Sequence, residues 1–359
     1  MMQAIESGLP ELGRLEDLPP AYRGSLESNN LVPLWPNLRS FLPPNMPLAR
    51  TRPARWAYSE LRPLLMEAGR LTPMEKAERR VLALANPGHG RERMKVTASI
   101  YLGMQLLLPG ELAPSHRHTP NAARLIVEGE RAYTEVNGVR HFMSPGDLIL
   151  TPTGMWHEHG HHGSAPVVWL DILDLPLVYE LEAAYVEEGR GHAQAAKSQS
   201  TYFKSGVVPS PGFERNQQAY PIVRYPWAEV RDALHCMAAA DTGAEPLQVT
   251  YVNPETGADC LAAIGFHAVM IRPAETRILP IRSCAAVFHV IEGAAEIQVN
   301  EVPMPMSRAD TCCAPGFAHV RLRNVDRGSP CFLFVADESP LQRKLGLYEV
   351  RSGSGRFSK

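Results

Sequence analysis

The sequence predicts an all-β protein of two jelly-roll β-barrels, with helices before the first barrel and between the two. Three observations predict it. Short apolar runs recur at about ten-residue spacing between Gly, Pro and Asn-Gly turns, the pattern of strands in a closed barrel. The 359 residues include 32 prolines and 27 glycines, too many chain breakers for a mainly helical protein. The pattern also repeats: AVFHVIEG (286–293) echoes AARLIVEG (122–129), so that Glu128-Gly129 and Glu292-Gly293 stand 164 residues apart. Gly146-Asp147 followed by Pro152 is echoed by Ala309-Asp310 followed by Pro315. A period this long means two copies of one domain.

Taken in order, residues 1–90 read as a helical lead-in. Ala54–Gly69 spaces its apolar residues three and four apart, and Pro63 starts or kinks that helix. Pro-rich connectors surround it at Leu42–Pro44 and Asn45–Pro47. By its pattern the segment looks like a lead-in rather than a catalytic unit. The first barrel spans 91–178. Its strand candidates are SIYLGMQLLL ending at Pro109-Gly110, ARLIVEG, RAYTEV, VRHFM, DLILTP and VVWLDILDLPLV. Between RAYTEV and VRHFM, Asn137-Gly138 is a strong hairpin signal, because both residues accept positive φ. A connector over 179–256 holds a helix at Tyr179–Gly189, a loop at Arg190–Ser200 and a helix at Trp227–Ala238. The second barrel spans 257–345, and 346–359 is a tail.

Lys plus Arg total 36 and Asp plus Glu total 38, a formal charge of −2. That balance argues against nucleic acid or an anionic membrane as a partner. No apolar run approaches the roughly 18 residues of a spanning helix, and the N-terminus has no apolar signal core. The expected location is the cytoplasm, with the 6 cysteines as reduced core thiols.

The chemistry concentrates in the first barrel. In a strand, residues two apart face the same side, so His116 and His118 of Ser115-His-Arg-His118 aim both imidazoles at one interior point. Pro152-Thr-Gly154-Met-Trp-His157 then turns the chain back and delivers His157 on an adjoining strand. Three neutral imidazoles make a metal site with open positions. His161 and His162, further along the HEHGHH run, read as loop residues.

These spacings match the cupin signature, G-x5-HxH followed by G-x5-PxGxxH. The usual motif glutamate is replaced by Ala122 and Ala123, which leaves a three-His site. The resemblance narrows further. HRHTPNAARLIVEGERAYTEVNG, GDLILTPTGMWHEHG and WLDILDLPLV, with NNLVPLW, ERRVLALANPG and FVADESPLQRKLGLY, are similar to the gentisate and salicylate 1,2-dioxygenase family over roughly residues 25–350. That resemblance implies a bicupin with iron(II) on His116, His118 and His157 and a homotetrameric assembly. It implies aromatic catabolism, in which both atoms of dioxygen enter a hydroxybenzoate ring opened between its carboxyl- and hydroxyl-bearing carbons. It also implies that Arg80 and Arg124 bind the substrate carboxylate, and that Gln105, His159 and Asp171 stand near the metal. An arginine fork suits a carboxylate, and His159 could take the substrate's phenolic proton.

Two departures bear on substrate choice. Tyr101 stands where the family often has Trp, and Ile172 where it has Gly. If both line the ring, the bulk of Ile172 should exclude the fused ring of 1-hydroxy-2-naphthoate. Gentisate is then expected first, with a 5-substituted salicylate near it and salicylate behind. A different class of reading is a non-enzymatic bicupin that binds a small molecule. In the second copy, Pro280 and Arg282 replace the paired histidines and His319 remains, so that barrel is expected to be structural.

Overall fold

The computed structural model describes residues 11–189, 220, 222–240, 247–351 and 357–358. The loop expected at Arg190–Ser200 lies outside them. Residues 1–49 form a unit of their own, with short helices at Pro20–Ser28 and Leu38–Phe41. Residues 50–359 form the other unit and contain two barrels.

The first barrel has a six-stranded sheet in the order Arg224–Tyr225, Leu148–Thr151, Ala122–Glu128, Val167–Leu173, Tyr101–Leu107 and Val81–Ala83. Its five-stranded partner runs Val186–Glu188, Leu112–His118, His157–His161, Ala132–Val136 and Val139–Phe142. The hairpin read from Asn137-Gly138 forms: Val136 pairs with Val139, and the two turn residues have φ of 46° and 84°.

The second barrel repeats the plan. Its six-stranded sheet runs Ala54–Trp56, Thr311–Ala314, Ala286–Glu292, Cys331–Asp337, Gly265–Ile271 and Leu247–Thr250. Pairing registers match between the copies. Asp171 lies between Arg124 and Gly103, as Val335 lies between Phe288 and His267.

The two six-stranded sheets share one apolar core. Leu102, Met104, Leu125, Leu170 and Ile172 of the first sheet and Phe266, Met270, Val287 and Phe334 of the second belong to a single buried cluster. Each barrel has its own interior as well. The second is filled by residues such as Val269, Phe288, Ile297 and Leu333, whereas the apolar interior of the first is smaller, around Leu107, Ile126 and Trp169.

The copies exchange their leading strands. Ala54–Trp56 precedes the first barrel but pairs with Thr311–Cys313 of the second, and Arg224–Tyr225 precedes the second but pairs with Leu148–Ile149 of the first. Each exchanged strand is held by the same device. Asp310 accepts from Arg55 (2.7 Å), from the Tyr58 backbone N–H (2.8 Å) and from Ser307 N–H (3.0 Å). Asp147 accepts from Arg224 (2.7 Å), from Trp227 N–H (2.9 Å) and from Ser144 N–H (3.1 Å).

Some elements differ from the sequence reading. The helix expected at Ala54–Gly69 forms instead at Tyr58–Leu71, with Pro63 inside it, and the first residues of the expected span are the exchanged strand Ala54–Trp56. The helix expected at Tyr179–Gly189 lies earlier, at Leu175–Glu180, and Val186–Glu188 is a strand against His116–His118. The helix at Trp227 forms and reaches Ala240. All six cysteines are free thiols and five are buried, but Cys236 is exposed. Among the described residues, no helix is long and apolar enough to cross a membrane.

Candidate active site

The strand Leu112–His118 presents His116 and His118 on one side, and His157 opens the antiparallel strand beside it. An irregularity between Ala113 and His116 brings His116 opposite His157. The ring centroids are 4.2 Å apart for His116 and His157, 4.8 Å for His118 and His157, and 5.3 Å for His116 and His118. One nitrogen from each lies within 4.8 Å of the others, and among the described residues no other three potential ligands converge like this.

Hydrogen bonds set two of these rings for coordination. Nδ1 of His118 faces the Pro120 carbonyl at 2.7 Å, and Nδ1 of His157 faces the Met155 carbonyl at 2.9 Å. A carbonyl only accepts, so each Nδ1 carries the proton and Nε2 keeps a lone pair for a metal. Nε2 of His157 is buried with no hydrogen-bond partner. Burial pushes the His116 pKa down to about 3 and that of His118 to about 4, and the charges of Arg79 and Arg124 add to this. Burial also holds His157 well below its usual value. The rings are therefore neutral at neutral pH, the state a metal requires.

Of the other predicted residues, Gln105, Arg124, His159 and Asp171 are buried inside the same barrel. Arg124 Nε lies 3.1 Å from Asp171, and its Nη1 donates to Thr151 at 2.8 Å. Burial pushes the Asp171 carboxyl up to about 6, against the pull of Arg124 and of the Trp169 indole N–H. His159 packs against Trp169 at 5.3 Å, and its Nδ1 meets Thr134. Polar atoms of Gln105, His157 and His159 are buried there without a hydrogen-bond partner. Such a convergence of unsatisfied groups is the mark of a site built for a ligand. Tyr101 shares the strand face of Gly103 and Gln105, and its hydroxyl lies against Gly103.

Three expectations are corrected. Arg80 does not face the histidines: it is buried elsewhere, paired with Glu111 and donating to the Gly69 carbonyl at 3.3 Å. Its neighbour Arg79 faces them, contacting the His116 ring and donating to the Pro114 carbonyl at 2.8 Å. The lead-in thus contributes to the site. Val81 pairs with Gln105, so it shares the interior face, and Arg79, two residues earlier, shares it too. Ile172 is also misplaced by the sequence reading. It follows Asp171 in a strand, points to the opposite side and lies fully buried in the core between the barrels. The argument for excluding a fused ring therefore falls. His161, finally, is no loop residue but ends the strand His157–His161, buried, with Nε2 on the Ala165 carbonyl at 2.5 Å.

A cavity of about 970 Å³ opens onto His116 and His118. Arg79, Leu173, Leu175, Tyr185, Val186 and Glu188 are among its walls. That volume lies within the range of small-molecule pockets. Burial and the like charge of Arg124 bring the Arg79 pKa down to about 10, so it remains a cation.

Comparison with known proteins agrees with this geometry. Residues 103–173 match the cupin domain family. The chain is 59% identical over 342 residues to a gentisate 1,2-dioxygenase of Ralstonia sp, covering 95% of this chain and 96% of that one. The chain belongs to the gentisate 1,2-dioxygenase family. It is also 32% identical to a 5-aminosalicylate 1,2-dioxygenase of Comamonas sp, over 90% of this chain and 87% of the relative. Among solved structures, salicylate 1,2-dioxygenase from Pseudoaminobacter salicylatoxidans, with gentisate adducts, superposes with a TM-score of 0.86 at 29% identity, covering 98% of this chain and 96% of that one. The architecture is that of a bicupin of this family.

The second barrel has none of the site. By the matching registers, Phe288 stands for Arg124, Val335 for Asp171 and Val320 for His157. His319 takes the place of Trp156: each donates its backbone N–H to an asparagine side chain, Asn300 and Asn137 respectively, and His319 is exposed.

Proposed function

We propose that the protein is an iron(II)-dependent dioxygenase that opens gentisate between its carboxyl- and hydroxyl-bearing carbons, giving maleylpyruvate. The observation that carries the reading is three neutral imidazoles and two guanidiniums, Arg79 and Arg124, facing one interior of a chain 59% identical to a gentisate 1,2-dioxygenase. His116, His118 and His157 hold the iron; an all-imidazole donor set suits a first-row transition metal. When bound, iron supplies the route by which an electron-rich ring and dioxygen react.

The chain's own residues bind and orient. Arg79 and Arg124 receive the substrate carboxylate, and Asp171 holds the Arg124 fork in place. Gln105 offers its unpaired amide to a substrate oxygen, and Trp169 supports His159. Tyr101 belongs to the same interior and adjoins the ring. The 5-hydroxyl of gentisate makes the ring electron-rich, which favours it over salicylate. We also propose that the second barrel, 257–345, is structural, that the chain assembles as a homotetramer, and that it works in the cytoplasm. Oxygen uptake by the iron-loaded chain tests the central reading, with gentisate, 5-aminosalicylate, salicylate and 1-hydroxy-2-naphthoate compared. Uptake greatest with gentisate is expected, and no uptake with any of the four would overturn the reading.

A further inference from the structure

His159 lies two residues beyond the ligand His157 on the same strand and faces the same interior, yet it does not join the three-histidine cluster. Its ring is fully buried. Nδ1 lies 2.9 Å from the hydroxyl of Thr134, which sits directly opposite on the neighbouring strand. Nε2 has no partner. Which nitrogen carries the proton follows from what Thr134 can do.

A hydroxyl has one hydrogen to donate. Thr134 is fully buried, and its side chain makes no other hydrogen bond among the described residues. If Nδ1 carried the proton, it would donate to Oγ1 and the hydroxyl hydrogen would be stranded in the interior. If Nδ1 is bare, the Thr134 O–H donates to it, both of these atoms are satisfied, and the Nε2–H is the one donor left for a bound ligand. Two of the three candidate ligands show the opposite arrangement, since Nδ1 of His118 and of His157 each face a carbonyl, which can only accept. One barrel therefore holds two tautomers, each set by the partner of Nδ1.

We infer that Thr134 fixes His159 as the neutral Nε2–H tautomer, so that His159 is a hydrogen-bond donor to an anionic oxygen of the bound substrate and not the base that takes its phenolic proton. His159 lies outside the three-histidine cluster and keeps its Nε2 for the substrate. Thr134 is then a positioning residue that acts through His159. The tautomer follows from hydrogen bonding alone; its catalytic consequence rests on the ring-cleavage reading.

The direct test is nitrogen NMR on the full-length, 15N-histidine-labelled chain loaded with zinc, which is diamagnetic. The His159 signals are those lost in His159→Gln. A proton on Nε2 with a bare Nδ1 is expected; a proton on Nδ1, or on both, would overturn the inference. In the iron-loaded chain, Thr134→Val removes the donor and should lower kcat about tenfold with KM changed less than about twofold, while Thr134→Ser should keep most of the rate. A Thr134→Val protein with the wild-type kcat would overturn the positioning role. If the valine variant does not fold, the wild-type spectrum still decides the tautomer. Should the wild type show Nε2–H and yet cleave none of the aromatic acids, the ring-cleavage reading fails and the tautomer stands.

Discussion

Replacing Arg79 and Arg80 one at a time separates two adjacent arginines that the sequence alone does not distinguish. Arg79 lines the cavity beside His116, whereas Arg80 is turned away toward Glu111. The Arg124 charge is already shared with Asp171, so Arg79 is the freer cation for a substrate carboxylate. A charge-assisted hydrogen bond contributes about 1.5–3 kcal/mol. At 1.36 kcal/mol per tenfold, Arg79→Ala should therefore lower kcat/KM for gentisate by roughly 10- to 150-fold. Arg79 touches a ligand histidine, so rates must be divided by measured iron. Arg80→Ala should leave kcat/KM per iron within about twofold. Its effect is on stability: Glu111 loses its cation and keeps only the Leu108 N–H, and because that side chain is 21% exposed the loss is about 1–3 kcal/mol, read as a lower Tm. Oxygen-electrode kinetics with iron analysis and thermal melts on both variants make the comparison. An Arg79→Ala enzyme with full kcat/KM, beside an Arg80→Ala enzyme that loses it, would refute the placement of both side chains.

Other outcomes follow from the same geometry. His116→Ala and His157→Ala should each abolish iron binding and oxygen uptake, while His319→Ala should spare both, as metal analysis of the purified variants will show. Asp171 is ionised only above about pH 6, because burial raises its carboxyl pKa; kcat/KM should fall as pH drops through 6, and Asp171→Asn should be slower at neutral pH and lack that limb. Ile172→Ala should cost about 2–5 kcal/mol of stability in denaturant titrations, with the order of substrate preference unchanged, because the side chain packs between the barrels.

The histidine cluster was legible because its signal is local: HxH needs only the two-residue period of a strand, and PxGxxH needs only a turn. Arg79 was not legible, because Val81–Ala83 is a three-residue strand in a segment that otherwise spaces its apolar residues like a helix. Once that strand is recognised, its pairing with Gln105 gives the facing directly. Ile172 was open to the same parity argument. With Asp171 inward, its neighbour must face outward, and a comparison of residue types with the family carries no facing. The strand Val186–Glu188 was hidden by Glu and Ala, good helix formers; pairing with the histidine-bearing strand outweighs that weak propensity. The repeat of Asp147 and Asp310 was visible in the sequence, but their partners were not, because each comes from the segment leading into the other barrel.

The exchanged strands also set an order of assembly for the chain as it is made. Arg55 emerges early, but its partner Asp310 follows 255 residues later, so the first strand must wait, unpaired, for nearly the whole chain. Contacts of this separation slow folding and lengthen the time for which strand edges stand exposed. A chain stopped after the first barrel would lack Arg224 and leave Asp147 buried without its cation, beside an open edge at Leu148–Thr151. The first barrel is therefore closed only once the connector has been made as far as Tyr225, and a product stopped short of it carries an open strand edge that favours aggregation.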